Sequence, residues 1–72
     1  MRRLNVSLTR TFDIKPLAVV DGLPGSGAEL QPRQLRALAA ALLRIADDAE
    51  ARRLVHRGKP MPDERRAYPL DE

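Results

Sequence analysis

Residues 32–54 read PRQLRALAAALLRIADDAEARRL, and this stretch decides the fold. Alanine and leucine, two of the best helix formers, make up much of it, and after Pro32 no glycine or proline interrupts it before Gly58. Apolar residues recur at spacings of three and four, at Leu35, Leu38, Leu42, Ile45 and Ala49, with Ala39 and Ala46 on the same side. The stretch therefore predicts one long amphipathic helix over about residues 32–54.

The flanking residues indicate where this helix begins and ends. Pro32 suits the first helical position, because an N–H there would have no helical partner, and Gln31 before it is a mediocre N-cap. Gly58 is the expected residue just past the helix, with His56 and Arg57 in a last turn where the helix dipole favours cations.

The N-terminal third has the period of a β-strand. Apolar side chains alternate with polar ones at Leu4, Val6 and Leu8, and the same register continues at Phe12 and Ile14, with Arg10 interrupting it. Either one long strand runs to Phe12 or a bulge lies near Arg10, and a turn or strand start is expected at residues 13–16. A second apolar run follows Pro16 and ends at Asp21-Gly22. The pattern predicts an antiparallel β-hairpin formed by about residues 3–12 and 16–22.

The C-terminal stretch, residues 59–72, has three prolines and alternating charges, which predicts an extended or partly disordered tail. Its apolar triplet Tyr68-Pro69-Leu70 is expected to dock either on the domain or on a partner. The predicted fold class is α+β: a hairpin packed against one long helix, forming a single ββα domain over residues 1–58, with the tail at 59–72.

Size and composition bear on how such a fold is stabilised. A chain of 72 residues buries only about 60% of its unfolded surface. Disulfides are excluded because cysteine is absent, and a metal site is not expected because His56 is the only histidine. Oligomerisation is the remaining common device, so a homodimer is expected, with no cofactor.

Location and charge limit the possible partners. No apolar run reaches 18 residues, and the start MRRLNVSLTR lacks the apolar stretch of a secretory signal, so a cytoplasmic protein without a membrane span is expected. The 13 basic and 10 acidic residues leave a net charge of +3, which is weak support for nucleic-acid binding.

No residue pattern indicates catalysis. Cysteine is absent, His56 stands alone, and Asp47 and Asp48 are adjacent on a helix and point about 100° apart. The run GLPGSG at residues 22–27 precedes a helix, but Ala28-Glu29 follows it where a phosphate-binding loop has Lys and then Ser or Thr. We expect a connecting loop and a protein that is not an enzyme.

Arg33 and Arg36 are the most informative charged residues. They lie in the first turns of the predicted helix, where the dipole disfavours cations by about 0.3–1 kcal/mol each, and with Arg44 they face away from the leucine stripe. Either they contact an acidic partner or they are solvated arginines of a GC-rich genome. The candidate partner-binding residues are Arg33, Arg36, Arg44, Leu43 and Tyr68.

A nucleic-acid-binding regulator is the alternative, and its candidate contacts are Arg2, Arg3, Arg10, Arg33 and Arg36. The denser basic segment at residues 52–59 is read as a solvated helix end, with Asp48 and Arg52 forming an i,i+4 ion pair.

Two stretches carry resemblances. RRLNVSL at residues 2–8 resembles the first strand of ribbon-helix-helix repressors, but a helix begins next in those proteins, whereas Thr11 to Pro16 follow here. The body, SLTRTFDIKPLAVVDGLPGSGAEL with QLRALAAALLRIADDAEAR, resembles short accessory proteins of temperate phages and mobile elements of GC-rich proteobacteria. That resemblance implies a protein that binds and inhibits or modulates a host complex, such as defence or transcription machinery.

Overall fold

The computed structural model describes residues 3–70, which form three long strands, two short ones and a helix. In chain order these are β1 (Arg3–Arg10), β2 (Pro16–Asp21), α1 (Pro32–Ala51), β3 (Val55–His56), β4 (Lys59–Pro60) and β5 (Glu64–Pro69). The long strands form an antiparallel sheet of order β2-β1-β5, and β3 and β4 form a small separate hairpin. The predicted α+β fold, a hairpin packed against one long helix, is confirmed.

The central strand β1 positions the core. Its even-numbered residues, Leu4, Val6 and Leu8, are buried beneath α1, as the period of two predicts. In the register of the sheet, Val6 lies between Val20 of β2 and Arg66 of β5. Because cross-strand partners lie on the same face of a sheet, the residues of β1 decide which residues of β2 and β5 face the helix.

The β1–β2 turn interrupts the predicted register. β1 ends at Arg10, and the chain reverses through a turn in which Thr11 accepts a hydrogen bond from the Ile14 N–H (3.0 Å) and donates its own N–H to Lys15 (2.8 Å). The prediction that Phe12 and Ile14 extend the buried face was therefore wrong. Phe12 is fully exposed and Ile14 is about half exposed, because both lie in the turn.

Helix α1 buries part of the predicted stripe. Ile45 and Ala49 are buried and Leu38 packs against the core, and Ala41, beside that stripe, is buried with them. Leu35 and Leu42 are exposed, so the buried surface is shifted toward Ala41 and this edge of the stripe faces water. No side chain in residues 32–40 is fully buried.

The helix also ends earlier than predicted. It stops at Ala51, and Arg52 has extended backbone angles (φ −70°, ψ 133°). Gly58 does not end the helix: Arg57 and Gly58 are both left-handed (φ 52° and 75°), as the central residues of a type I′ hairpin turn must be, and they connect β3 to β4. The predicted role of Gly58 was wrong because this local hairpin uses it instead.

The C-terminal tail is extended, as predicted, and it completes the sheet. β5 pairs with β1 along six residues, and Tyr68 lies opposite Leu4. Tyr68 and Leu70 are buried in the core, so the apolar triplet docks on the domain. The strand at residues 64–69 thus belongs to the same sheet as the hairpin, rather than to an appendage beyond residue 58.

The molecule is elongated for its size. Its radius of gyration is 13.9 Å and its principal extents are 46 × 21 × 15 Å. A compact domain of this length has a radius of gyration of about 11 Å. Within residues 3–70, no helix has both the length and the apolar character needed to cross a bilayer.

Leu8 and Leu17 provide a matched test of the core. Leu8 is 0% exposed beneath α1, whereas Leu17 is 43% exposed on the neighbouring strand. We expect Leu8→Ala to lower the free energy of unfolding by about 2–5 kcal/mol, because a cavity remains. Leu17→Ala should change it by about 0.5 kcal/mol or less. Urea denaturation measures both; equal losses would contradict this assignment of the core.

Candidate interaction surfaces

The side of α1 next to the buried stripe is apolar and uncovered. It consists of Leu35, Ala39, Leu42 and Ala46, flanked by Leu43, and we call these five residues the outer helix face. All of them are exposed, and Leu43 is 68% exposed. Apolar side chains gathered on one face of a helix are typical of a binding surface, whereas scattered ones are not.

The charges along α1 run against its dipole. Its first turn contains no acidic residue and its last turn no basic one, which reverses the favourable order. Arg33 and Arg36 are exposed, and within residues 3–70 neither takes part in an ion pair. Asp47 and Glu50 are exposed near the other end. Stability of the isolated helix does not explain this order.

The turn between β1 and β2 presents a second apolar surface, the hairpin tip, formed by Phe12 and Ile14. Ile14 has a φ of 58°, in the left-handed region that branched side chains rarely occupy. At this position of a hairpin turn, glycine is the usual residue. A non-glycine residue there costs about 1–2 kcal/mol, so the tip holds an apolar side chain at the expense of backbone strain.

Phe12 and Ile14 lie on the same part of the surface. Both line a shallow depression of about 420 Å³, whose other walls are Thr9, Arg10, Thr11, Pro60 and Asp63. Beside them, Asp13 and Lys15 form an exposed ion pair at 3.6 Å. The tip therefore has no net charge of its own.

A polar network fixes the tail to the helix. The Tyr68 hydroxyl donates to Asp48 (2.6 Å), and Arg66 forms ion pairs with Asp48 (3.2 Å) and Glu64 (2.9 Å). Asp48 therefore pairs with β5, and the predicted i,i+4 pair with Arg52 is not found among the described residues. The reason is that β5 brings an arginine and a tyrosine to the same carboxylate.

Arg52 instead has a structural role. Its side chain is largely buried, forms an ion pair with Glu64 (3.9 Å), and donates to the carbonyl oxygens of Thr9 and Pro62. Arg53, the next residue, contacts Nδ1 of His56 at 2.9 Å. The start of the segment at residues 52–59 is thus bound to the fold, rather than a freely solvated helix end.

The predicted partner-binding residues separate into two groups. Arg33, Arg36 and Leu43 are exposed on α1 and available to a partner. Tyr68 is 3% exposed, so it serves the core and not a partner. Arg44 stacks over the Tyr68 ring, 5.7 Å from its centre, and shields that edge of the core.

The structure does not gather the predicted nucleic-acid contacts into one patch. Arg3 and Arg10 lie at opposite ends of β1, about 23 Å apart at the usual rise per residue. The Arg10 guanidinium donates to the carbonyl of Met61 (3.0 Å). Arg33 and Arg36 are on the helix, and Arg2 lies outside the described residues.

The sequence pattern predicted a turn or strand start at residues 13–16, but it kept Phe12 and Ile14 in the register of the buried face and so missed the apolar surface of the hairpin tip. Across residues 3–70, no group of three or more acidic, histidine or cysteine side chains is placed to hold a metal ion.

No protein-family model, curated protein or solved structure matches this chain.

Tyr68 gives the tail network a measurable pH dependence. Burial, which disfavours the phenolate, raises the pKa of Tyr68 above its usual value of about 10. The hydrogen bond to Asp48 raises this pKa further, and the nearby Arg66 opposes the shift. Because the folded-state pKa is higher than the unfolded one, the contribution to stability is complete below about pH 10 and is lost as the pH rises through the folded value.

We expect tyrosinate absorbance to appear at a pH above that of a free tyrosine, together with a fall in the free energy of unfolding. The assignment is unambiguous because Tyr68 is the only tyrosine and tryptophan is absent. Tyr68→Phe should show a flatter fall in stability over the same range. A titration at the usual pKa of about 10 would show that Tyr68 is not buried against Asp48.

Proposed function

We propose that this chain is a small, non-enzymatic binding protein that inserts its hairpin tip into an apolar pocket of a protein partner. The observation that carries the proposal is the backbone of Ile14, held in the left-handed region beside a fully exposed Phe12. A glycine at position 14 would relieve the strain, but it would remove the apolar side chain.

Backbone strain at a surface residue such as Ile14 supports a role for that residue in binding. Single exposed apolar residues are common on proteins and need no explanation. A strained residue persists only where the surrounding structure enforces it, and such residues cluster at binding and catalytic sites. Here the two backbone hydrogen bonds of Thr11 enforce the turn, with further support from its hydroxyl, which accepts from the Lys15 N–H at 3.1 Å.

The geometry of the tip favours a pocket in a protein. Exposed aromatic side chains are frequent anchors of protein–protein interfaces, because they bury a large apolar area when they enter a pocket. A turn that is already ordered loses little conformational entropy on binding. With Asp13 and Lys15 neutralising each other, the tip suits an apolar, uncharged pocket, and its binding should depend little on salt.

The resemblance to phage accessory proteins adds a class of partner to the proposal. On that reading the pocket belongs to a host complex of the cytoplasm, in defence or transcription, and occupying it inhibits or modulates that complex. The nucleic-acid alternative has less support, because Arg10 is engaged by the fold and Arg3 lies at the far end of β1.

Photo-crosslinking at the tip tests the proposal directly. The chain would be produced in a GC-rich proteobacterium with benzoylphenylalanine in place of Phe12, and a control would carry it in place of Ser26 in the exposed loop. We expect a discrete protein adduct from the Phe12 position and none from the Ser26 position. Equal labelling at both positions, or an adduct removed by nuclease, would overturn the proposal.

Ile14→Gly separates stability from binding. Relief of the left-handed strain should raise the free energy of unfolding by about 1 kcal/mol, because glycine adopts positive φ freely. Loss of the side chain should reduce co-purification of the crosslinked partner by at least about tenfold, the effect of removing an interface anchor. Leu23→Gly removes a comparably exposed apolar side chain elsewhere and should leave binding unchanged. A more stable Ile14→Gly variant that still binds fully would contradict the role of the tip.

A further inference from the structure

We infer that the outer helix face binds the same face of a second copy of this chain, with the two α1 helices antiparallel. The inference concerns a different surface from the hairpin tip and does not depend on the proposed function. It identifies which residues meet in the homodimer that the size of the chain predicts.

The spacing of the outer helix face fits a helix–helix seam. Leu35, Ala39, Leu42 and Ala46 are separated by four, three and four residues, which is the repeat that keeps one side of a helix facing a partner helix. Large and small side chains alternate along it, so the leucines of one helix can fill the space above the alanines of the other. The neighbouring buried stripe already faces the sheet, so α1 has two adjacent apolar faces and only one of them is covered.

A second row of residues fixes the direction of the partner. Arg36, Leu43 and Glu50 are seven residues apart and therefore lie along one edge of the seam, and all three are exposed. In a two-fold symmetric pair, each contact occurs twice with the roles exchanged. If the two-fold axis passes beside Leu43, then Leu43 contacts Leu43 of the second copy, and Arg36 contacts Glu50 of the second copy.

The antiparallel arrangement also accounts for the reversed charges of α1. Arg33 and Arg36 lie near the positive end of their own helix, and Asp47 and Glu50 lie near the negative end. An antiparallel second helix places its acidic, negative end beside this basic half. A parallel pair would set arginine against arginine, so charge complementarity selects the antiparallel one.

The N-terminal half of α1 needs such a partner. No side chain in residues 32–40 is fully buried, and Leu38 is the one apolar residue among them that packs against the core. A helical segment with so little tertiary packing is marginal in water. The chain is also elongated, with a longest extent of 46 Å. A second copy lying along the exposed side would bury the half of the helix that the sheet covers least.

Charge reversal tests the pairing by sedimentation equilibrium over a range of concentrations. Arg36→Glu alone, or Glu50→Arg alone, turns both symmetric ion pairs repulsive, so each should weaken dimerisation by about tenfold. The double variant, R36E with E50R, should restore it to within about threefold. Circular dichroism shows that the single variants fold. A wild-type chain that stays monomeric at the highest concentration, or a double variant no better than the singles, would overturn the inference.

Cysteine substitution tests the direction of the helices, because the natural chain contains no cysteine. Leu43→Cys should form a disulfide-linked dimer readily under oxidising conditions. Arg36→Cys should not link to itself, but should link to Glu50→Cys when the two proteins are mixed. Leu23→Cys is the control: it is exposed in the loop that precedes α1 and lies outside the outer helix face. It should form a disulfide-linked dimer no faster in the folded protein than in the denatured one. Rapid linking of Arg36→Cys to itself would indicate parallel helices and contradict the proposed arrangement.

Discussion

The packing of one face of β1 against α1 is the constraint on which the rest of the structure depends. Leu4, Val6 and Leu8 are buried beneath the helix, and both neighbouring strands take their register from β1. With only eight buried apolar side chains among residues 3–70, this core leaves little spare stability. The turns, the β5 strand and the tail network all act by holding other residues against this one strand.

The same constraint explains why so much apolar surface is left over. A three-stranded sheet covers only one side of a helix, and α1 offers two apolar sides. The sheet covers the face with Ala41, Ile45 and Ala49, and Leu35, Leu42 and Leu43 face water. The hairpin tip is apolar for a different reason. Phe12 and Ile14 are large apolar residues, and they lie in the β1–β2 turn and therefore outside the sheet.

The two surfaces have compatible roles. The outer helix face belongs to α1, and the hairpin tip is a turn between two strands, so a dimer formed through one leaves the other free. Two tips on one dimer would bind a multi-subunit partner, or two copies of the same partner, more tightly than a single tip, because the second contact becomes intramolecular. The two proposals together describe a bivalent binding protein, in which a small core holds each hairpin tip in a fixed position.

The local patterns of the sequence determined the elements: alternation defined β1, the Ala- and Leu-rich stretch defined the helix, and turn-forming residues separated the strands. They determined only part of the buried surface of α1: Ile45 and Ala49 are buried as predicted, but Leu35 and Leu42 are exposed and Ala41 is buried in their place, because the position of the sheet selects which edge of a wide apolar arc is covered. Nor did they show that residues 64–69 form a strand, because β5 is held by β1 and by the contacts of Asp48 with Tyr68 and Arg66, which are distant in sequence. The exposure of Phe12 and Ile14 likewise followed from the turn, since a period of two continues through a strand but not around a chain reversal.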